Sequence, residues 1–185
     1  MDTRNYHQDI QLHYRKYKLL AERAMSQVSD DDFFRSLDDN PNSIAHIVKH
    51  LSGNMRSRWL NFLTSDGEKP DRNRDSEFDM TAEDTRVSLL QFWESSWQIA
   101  FNELEALSPD DFDKTVTIRS EKYLSFEAIN RNLLHCAYHI GQIVLLARHF
   151  TGVKWQTLSI PLEQSAEMNR RMQESGGESH AQKKS

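Results

Sequence analysis

The sequence predicts an all-α fold: a four-helix bundle, up-down-down-up, with a long crossover between helices 2 and 3 and a C-terminal arm. Three observations lead there. Pro41, Pro70, Pro109 and Pro161 all lie between periodic segments and none lies inside one. Proline removes a helix hydrogen bond and clashes with the preceding turn, so its placement leaves four long segments free to be helical. Within those segments apolar residues recur in steps of three and four, the mark of one helix face. The connection between the second and third segments is long and polar. A long crossover suits neighbours running the same way, whereas short loops suit antiparallel ones. A hairpin of the first and second helices, a parallel second and third, and a return to the fourth are therefore expected.

The first helix, about Tyr6 to Val28, carries Ile10, Tyr14, Tyr17, Leu20, Ala21, Ala24 and Val28 on one face. Ser29-Asp30-Asp31-Asp32 then reads as a cap and a short helical turn. The second helix, about Ser43 to Thr64, opens after Asn-Pro-Asn-Ser and carries Ile44, Ile47, Val48, Leu51, Met55, Trp59, Phe62 and Leu63. Residues 65–80 are polar, with Gly67 and Pro70, and read as connection. Thr81-Ala-Glu-Asp84 resembles a capping box for the third helix, which runs to about Leu107 through Val87, Leu90, Trp93, Trp97, Ala100 and Leu104. Residues 112–124 alternate in the manner of a small hairpin. The fourth helix runs from about Ser125 to Phe150 and stops at Thr151-Gly152. Trp155, Leu158, Ile160 and Leu162 give the following arm an apolar side that should dock, with Pro161 keeping it extended. The expected organisation is one domain over residues 1–173 and a disordered tail over 174–185.

Composition narrows the function. The chain has 185 residues, 37% of them hydrophobic, enough for one core at this size. With 23 basic against 28 acidic residues its formal charge is −5, which argues against a nucleic-acid surface. A lone cysteine, Cys136, excludes an intrachain disulfide and a thiolate-based structural zinc site. It reads as a small buried residue more than as a nucleophile. The start MDTRNYHQDI has no signal-peptide run, and no stretch has the roughly 18 apolar residues of a membrane span, so a soluble, cytoplasmic protein with no membrane partner is expected. No phosphate loop, nucleophile elbow or dinucleotide fingerprint is present.

Chemistry is concentrated in the histidines. His135 and His139, in His-Cys-Ala-Tyr-His, are four apart and share a helix face, where two imidazoles can hold one transition metal. Cys136 stands where a thermolysin-type motif needs Glu, which rejects that class. Spacing alone leaves a second reading open: two histidines on a solvated face. The pair lies well away from the stripe of Leu133, Ile140, Val144 and Ala147, which permits a site without demanding one. A third ligand has to come from another helix. His46 points nearly opposite the apolar stripe of the second helix and reads as surface, while His50 lies at its border. Gly53, one turn beyond His50, makes either space beside a site or a close helix contact; Gly141 reads as a helix contact. Asn54 is four residues from His50 and can reach a ligand.

At this point the chain resembles a family. A histidine in Asn-Ser-Ile-Ala-His-Ile-Val-Lys-His-Leu together with His-x-x-x-His in Leu-Leu-His-Cys-Ala-Tyr-His-Ile-Gly-Gln-Ile is similar to the DinB-like superfamily of bacterial four-helix-bundle metalloproteins. His-Leu-Ser-Gly-Asn-Met-Arg-Ser-Arg-Trp, Asp-Gly-Glu-Lys-Pro and Trp-Gln-Thr-Leu-Ser-Ile-Pro resemble a branch of it whose function is uncharacterised. The resemblance covers roughly residues 6–165. It implies the up-down-down-up bundle, and a metal held by the positions matching His50, His135 and His139. It also implies a homodimer, and in some relatives a low-molecular-weight thiol such as bacillithiol or mycothiol as cosubstrate of S-transfer or isomerisation.

The resulting expectation is a metal-dependent enzyme holding one zinc or nickel ion and transferring a thiol to an electrophilic small molecule. Arg119 and Arg131 are candidates to hold the thiol's carboxylates. The alternatives are a non-catalytic metal-binding stress-response bundle and a metal-activated hydrolase, the latter lacking a Glu beside the histidine pair. The aromatic residues Trp59, Phe92, Trp93 and Trp97 are more than one small bundle needs to bury, which again points to a homodimer, with core packing alone as the other explanation.

Overall fold

The structure is a computed structural model and describes residues 3–38 and 42–174. Of the expected disordered tail, 174–185, Glu174 closes the last helix and the residues from 175 onward lie outside the described residues. The chain is mostly helical with one small sheet: α1 (Thr3–Met25), α2 (Asp30–Phe34), α3 (Ile44–Trp59), α4 (Arg86–Ala106), β1 (Thr115–Ile118), β2 (Glu121–Leu124), α5 (Ser125–Thr151) and α6 (Ser165–Glu174).

The helix ends follow their capping chemistry. Ser29 accepts the Asp32 N–H at the start of α2, and Ser43 accepts the His46 N–H at the start of α3. The cap of α4 differs from expectation. Thr81 and Asp84 do bond each other, but in a separate turn; the helix is opened by a reciprocal box of Thr85 and Ser88. Asp84 is thereby released to pair with Lys49 on α3 at 2.7 Å. α3 stops at Trp59 rather than near Thr64, because Asn61 turns into the left-handed region at φ 53°. α5 ends as expected, with Gly152 at φ 58° donating its N–H to the Arg148 carbonyl.

The four long helices pack with α1 chiefly on α5, α3 on α4, and α3 also on α5. This corrects the expected hairpin: α1 and α3, consecutive among the long helices, do not form the main adjacent pair. Polar ties record the helix directions. Between α1 and α4 they join His7 to Leu104, Lys18 to Glu94 and Trp93 to Glu22, in opposing order. Between α3, α4 and the residues just beyond their ends, they join Lys49 to Asp84 and Asn61 to Glu103, in the same order.

One core cluster runs through the bundle, with Tyr14, Trp59, Trp93 and Trp97 essentially inaccessible at its centre. The tryptophans therefore serve the chain's own core and give no independent reason for a dimer. Tyr14 meets Trp59 edge-on at 5.6 Å between ring centroids, a favourable arrangement of aromatic quadrupoles. Asn132 of α5 is the polar centre of this core. Its Oδ1 accepts the Trp59 Nε1–H at 2.9 Å, its Nδ2 donates to Asn54 Oδ1 at 3.0 Å, and the Tyr14 hydroxyl is shared between Asn132 Oδ1 at 3.0 Å and the Ile129 carbonyl at 2.9 Å.

The hairpin between α4 and α5 is as expected, pairing Thr115 with Leu124 and Ile118 with Glu121. Outside the core, α5 leaves Leu134, Tyr138 and Leu145 exposed at helical spacing. Gly141 lies on this open face with nothing within reach of an added Cβ, which corrects its reading as a helix contact. The arm docks only in part. Trp155 and Leu158 pack on the core and Gln156 exchanges two hydrogen bonds with the Gln27 side chain, but Ile160 and Leu162 are exposed. Beyond Pro161 the chain is not extended but forms α6, none of whose residues is buried.

The Asn132 network sets an energetic expectation. Asn132→Ala leaves the Trp59 N–H and Asn54 without their buried partners, at about 1–3 kcal/mol for each unsatisfied group. The variant should lose about 2–4 kcal/mol in urea denaturation. A wild-type midpoint would show that the network contributes nothing.

Candidate metal centre

Two helices bring the three sequence-predicted histidines together. On α3, His50 is buried at the border of the apolar face; on α5, His135 and His139 lie one turn apart and half-buried. Each offers one ring nitrogen, and these atoms all lie within 4.8 Å of one another. His50 Nε2 and His135 Nε2 are 3.3 Å apart. Two nitrogens bound to one zinc at about 2.0–2.1 Å in tetrahedral geometry are separated by about 3.3–3.4 Å, so this pair already has the spacing of a shared ion. His46, by contrast, bonds Ser43 and lies outside the cluster, half-buried rather than fully exposed.

Neighbours orient two of the three imidazoles, His50 and His139, while the buried Nδ1 of His135 has no hydrogen-bond partner among the described residues. His50 Nδ1 lies 2.7 Å from Glu77 Oε2, and Arg72 holds both oxygens of the same carboxylate at 2.8 and 3.0 Å. Burial would raise the Glu77 pKa, but the bonds from His50 and Arg72 outweigh it and hold the group below the usual carboxylate range. An ionised Glu77 only accepts, so the His50 proton sits on Nδ1 and its Nε2 lone pair faces the cluster. His139 Nδ1 likewise donates to Gln142 Oε1 at 2.8 Å. His135 is pushed down to about 3, by burial first and then by His139, His50, Arg58 and Arg72. His139 is lowered too, again mainly by burial. Three imidazoles whose ring nitrogens converge within 4.8 Å suit a borderline transition ion such as zinc or nickel, so the residues fit the group.

Glu77 is the functional residue that sequence reasoning missed. It sits in a short 3-10 turn, Asp75–Phe78, within a stretch that has no periodicity to read. The same turn stacks Phe78 on His50 at 5.1 Å between centroids. The signal was Gly53. A Cβ there would lie 2.9 Å from Glu77 Cδ and closer still to Oε1, so glycine makes room for this carboxylate.

The histidines open into a cleft of about 560 Å³. Asn54, Arg119 and Arg131 all line it, as do Arg58, Arg72 and Arg74; no Asp or Glu does among the described residues. None of its lining comes from the arm. Cys136 faces the other way, fully buried, its thiol 3.5 Å from Met55 Sδ and its pKa pushed up to about 12 by burial.

A helical protein with a three-histidine cluster at the head of a basic cleft is the class that fold and site define. Residues 2–164 match the family described as protein of unknown function (DUF1572), and the chain belongs to that family. Comparison with the curated proteins and with the solved structures finds no match. No helix among the described residues is long and apolar enough to cross a membrane.

Two outcomes follow. Elemental analysis of protein made without a histidine tag should find about one zinc or nickel ion per chain; His50→Ala, His135→Ala and His139→Ala should each abolish tight binding, and His46→Ala should not. Gly53→Ala should displace Glu77 and weaken zinc binding by about 10- to 100-fold in a chelator competition, as loss of an outer carboxylate does. Unchanged affinity in that variant would remove Glu77 from the site.

Proposed function

We propose that the chain is a metal-dependent enzyme of the DinB-like type that transfers a low-molecular-weight thiol to an electrophilic small molecule. In this reading the long helices form an up-down-down-up bundle, which is supported by the order of the polar ties between α1 and α4 and between α3 and α4. The observation that carries the function is the convergence of three histidines at the head of an open cleft. Three protein ligands leave a coordination position for a small molecule, which is the mark of a catalytic rather than a closed structural site. A divalent ion held by His50, His135 and His139 would supply Lewis acidity, which lowers a thiol's pKa so that its proton passes to solvent near neutral pH.

The protein's own residues do the rest. Glu77 fixes the tautomer of His50, and Gln142 that of His139. Phe78 covers one face of His50. The thiolate sulfur forms a bond to the electrophilic carbon as the leaving group departs with its electron pair. Hydrolysis is less well supported, because no carboxylate lines the cleft among the described residues and Glu77 is engaged by His50 and Arg72. A homodimer is part of the proposal through the resemblance. The exposed row of Leu134, Tyr138 and Leu145 is compatible with it.

The deciding experiment is turnover of model electrophiles by the zinc-loaded protein with bacillithiol, mycothiol and simple thiols. Thiol-dependent conjugation is expected, reduced at least about 100-fold in His135→Ala. Product formed without thiol would identify a hydrolase. No turnover with any thiol, by protein that retains its zinc, would identify a non-catalytic metal binder.

A further inference from the structure

We propose that the cleft is built to bind a small molecule through an oxyanion, carboxylate or phosphoryl, held by Arg131, Arg119 and the amide N–H of Asn54. The inference takes the cleft as the ligand site of the function proposed above and does not need the metal.

Three independent observations lead to it. The first is charge. Every ionised side chain lining the cleft among the described residues is an arginine. Arg58, Arg72 and Arg119 share the carboxylate of Glu68, and Arg72 also takes Glu77. Arg131 has no carboxylate partner among the described residues; its guanidinium lies 5.9 Å from the centre of the Tyr123 ring.

The second is the orientation of an amide. Trp59 Nε1–H can only donate, so Asn132 turns its Oδ1 to it and its Nδ2 has to point toward Asn54. That bond occupies Asn54 Oδ1. The side of Asn54 left for the cleft is therefore its N–H₂ group, a donor. A chain of bonds starting in the core thus determines that the cleft presents a donor here and not an acceptor.

The third is a turn held against its preference. Arg119 and Ser120 both have positive φ, 55° and 64°, in a two-residue hairpin turn where Asn-Gly is the usual choice. Asp66 accepts both of their backbone N–H groups at 2.8 Å. Burial opposes the Asp66 charge, but backbone donors from Glu68, Ser120 and Arg119 hold its pKa at about 2, so the clamp stays ionised. The outcome is an arginine presented at the cleft by a turn that no glycine relaxes. Arginine forks and an amide donor together match an acceptor-only, planar or tetrahedral oxyanion.

The test is calorimetric titration of the full chain, metal-free and zinc-loaded, with succinate, inorganic phosphate and the neutral diamide succinamide. Succinate or phosphate should bind and succinamide should not; the tighter of the two anions names the group. Arg131→Gln should weaken the anion about tenfold or more, with partial recovery in Arg131→Lys, while zinc stoichiometry stays at the wild-type value. Asn54→Asp, which sets a carboxylate where the amide donor stood, should abolish anion binding. Anion binding by metal-free protein supports the inference even if zinc fails to bind, so the two readings fail separately. Equal binding of succinamide, or undiminished anion affinity in Arg131→Gln, would overturn it.

Discussion

The hydrogen bond between Asn132 and Asn54 sets the register on which the site depends. It joins α5 to α3 inside the core, with Trp59 and Tyr14 closing the rest of the Asn132 carbonyl. His135 follows Asn132 by three residues and His50 precedes Asn54 by four. One helical turn from the bond, both histidines therefore face each other. A buried amide tolerates no slip, because sliding either helix would strand several polar groups in an apolar interior. The histidine cluster is thus positioned by core packing alone.

The crossover supplies what the helices lack. A bundle face offers histidines readily, but a carboxylate behind a ligand has to approach from outside the two helices that carry it. The 3-10 turn at Asp75–Phe78 does this, delivering Glu77 to the far nitrogen of His50 and Phe78 to its ring. Gly53 is the matching absence on α3. The long polar stretch that reads as a mere connection therefore forms one wall of the site, and Arg72 and Arg74 arrive with it.

Periodicity made the long helices legible, because each buries one stripe, and the wheel positions of His50, His135 and His139 followed from the same arithmetic. The cap of α4 was misplaced because Thr81–Asp84 and Thr85–Ser88 carry the same chemistry four residues apart, and tertiary pairing of Asp84 with Lys49 decided between them. Glu77 was illegible for a different reason: a non-periodic segment gives no face, so nothing in its spacing says which acid turns inward. The tryptophans misled by their number; only packing shows that Trp59, Trp93 and Trp97 share one interior. The arm misled through Pro161, which ends one extended stretch but does not forbid a helix a few residues later.

The placement of Cys136 bears on the chemical durability of the chain. An active site for electrophiles exposes its own protein to alkylation, and a nucleophilic thiol on the same helix as His135 and His139 would be an early casualty. Here the sulfur is turned into the core and kept protonated by burial. The chain's only thiol is therefore out of reach of the histidine cluster and of the cleft, and on the function proposed above the attacking sulfur has to come from a thiol in solution.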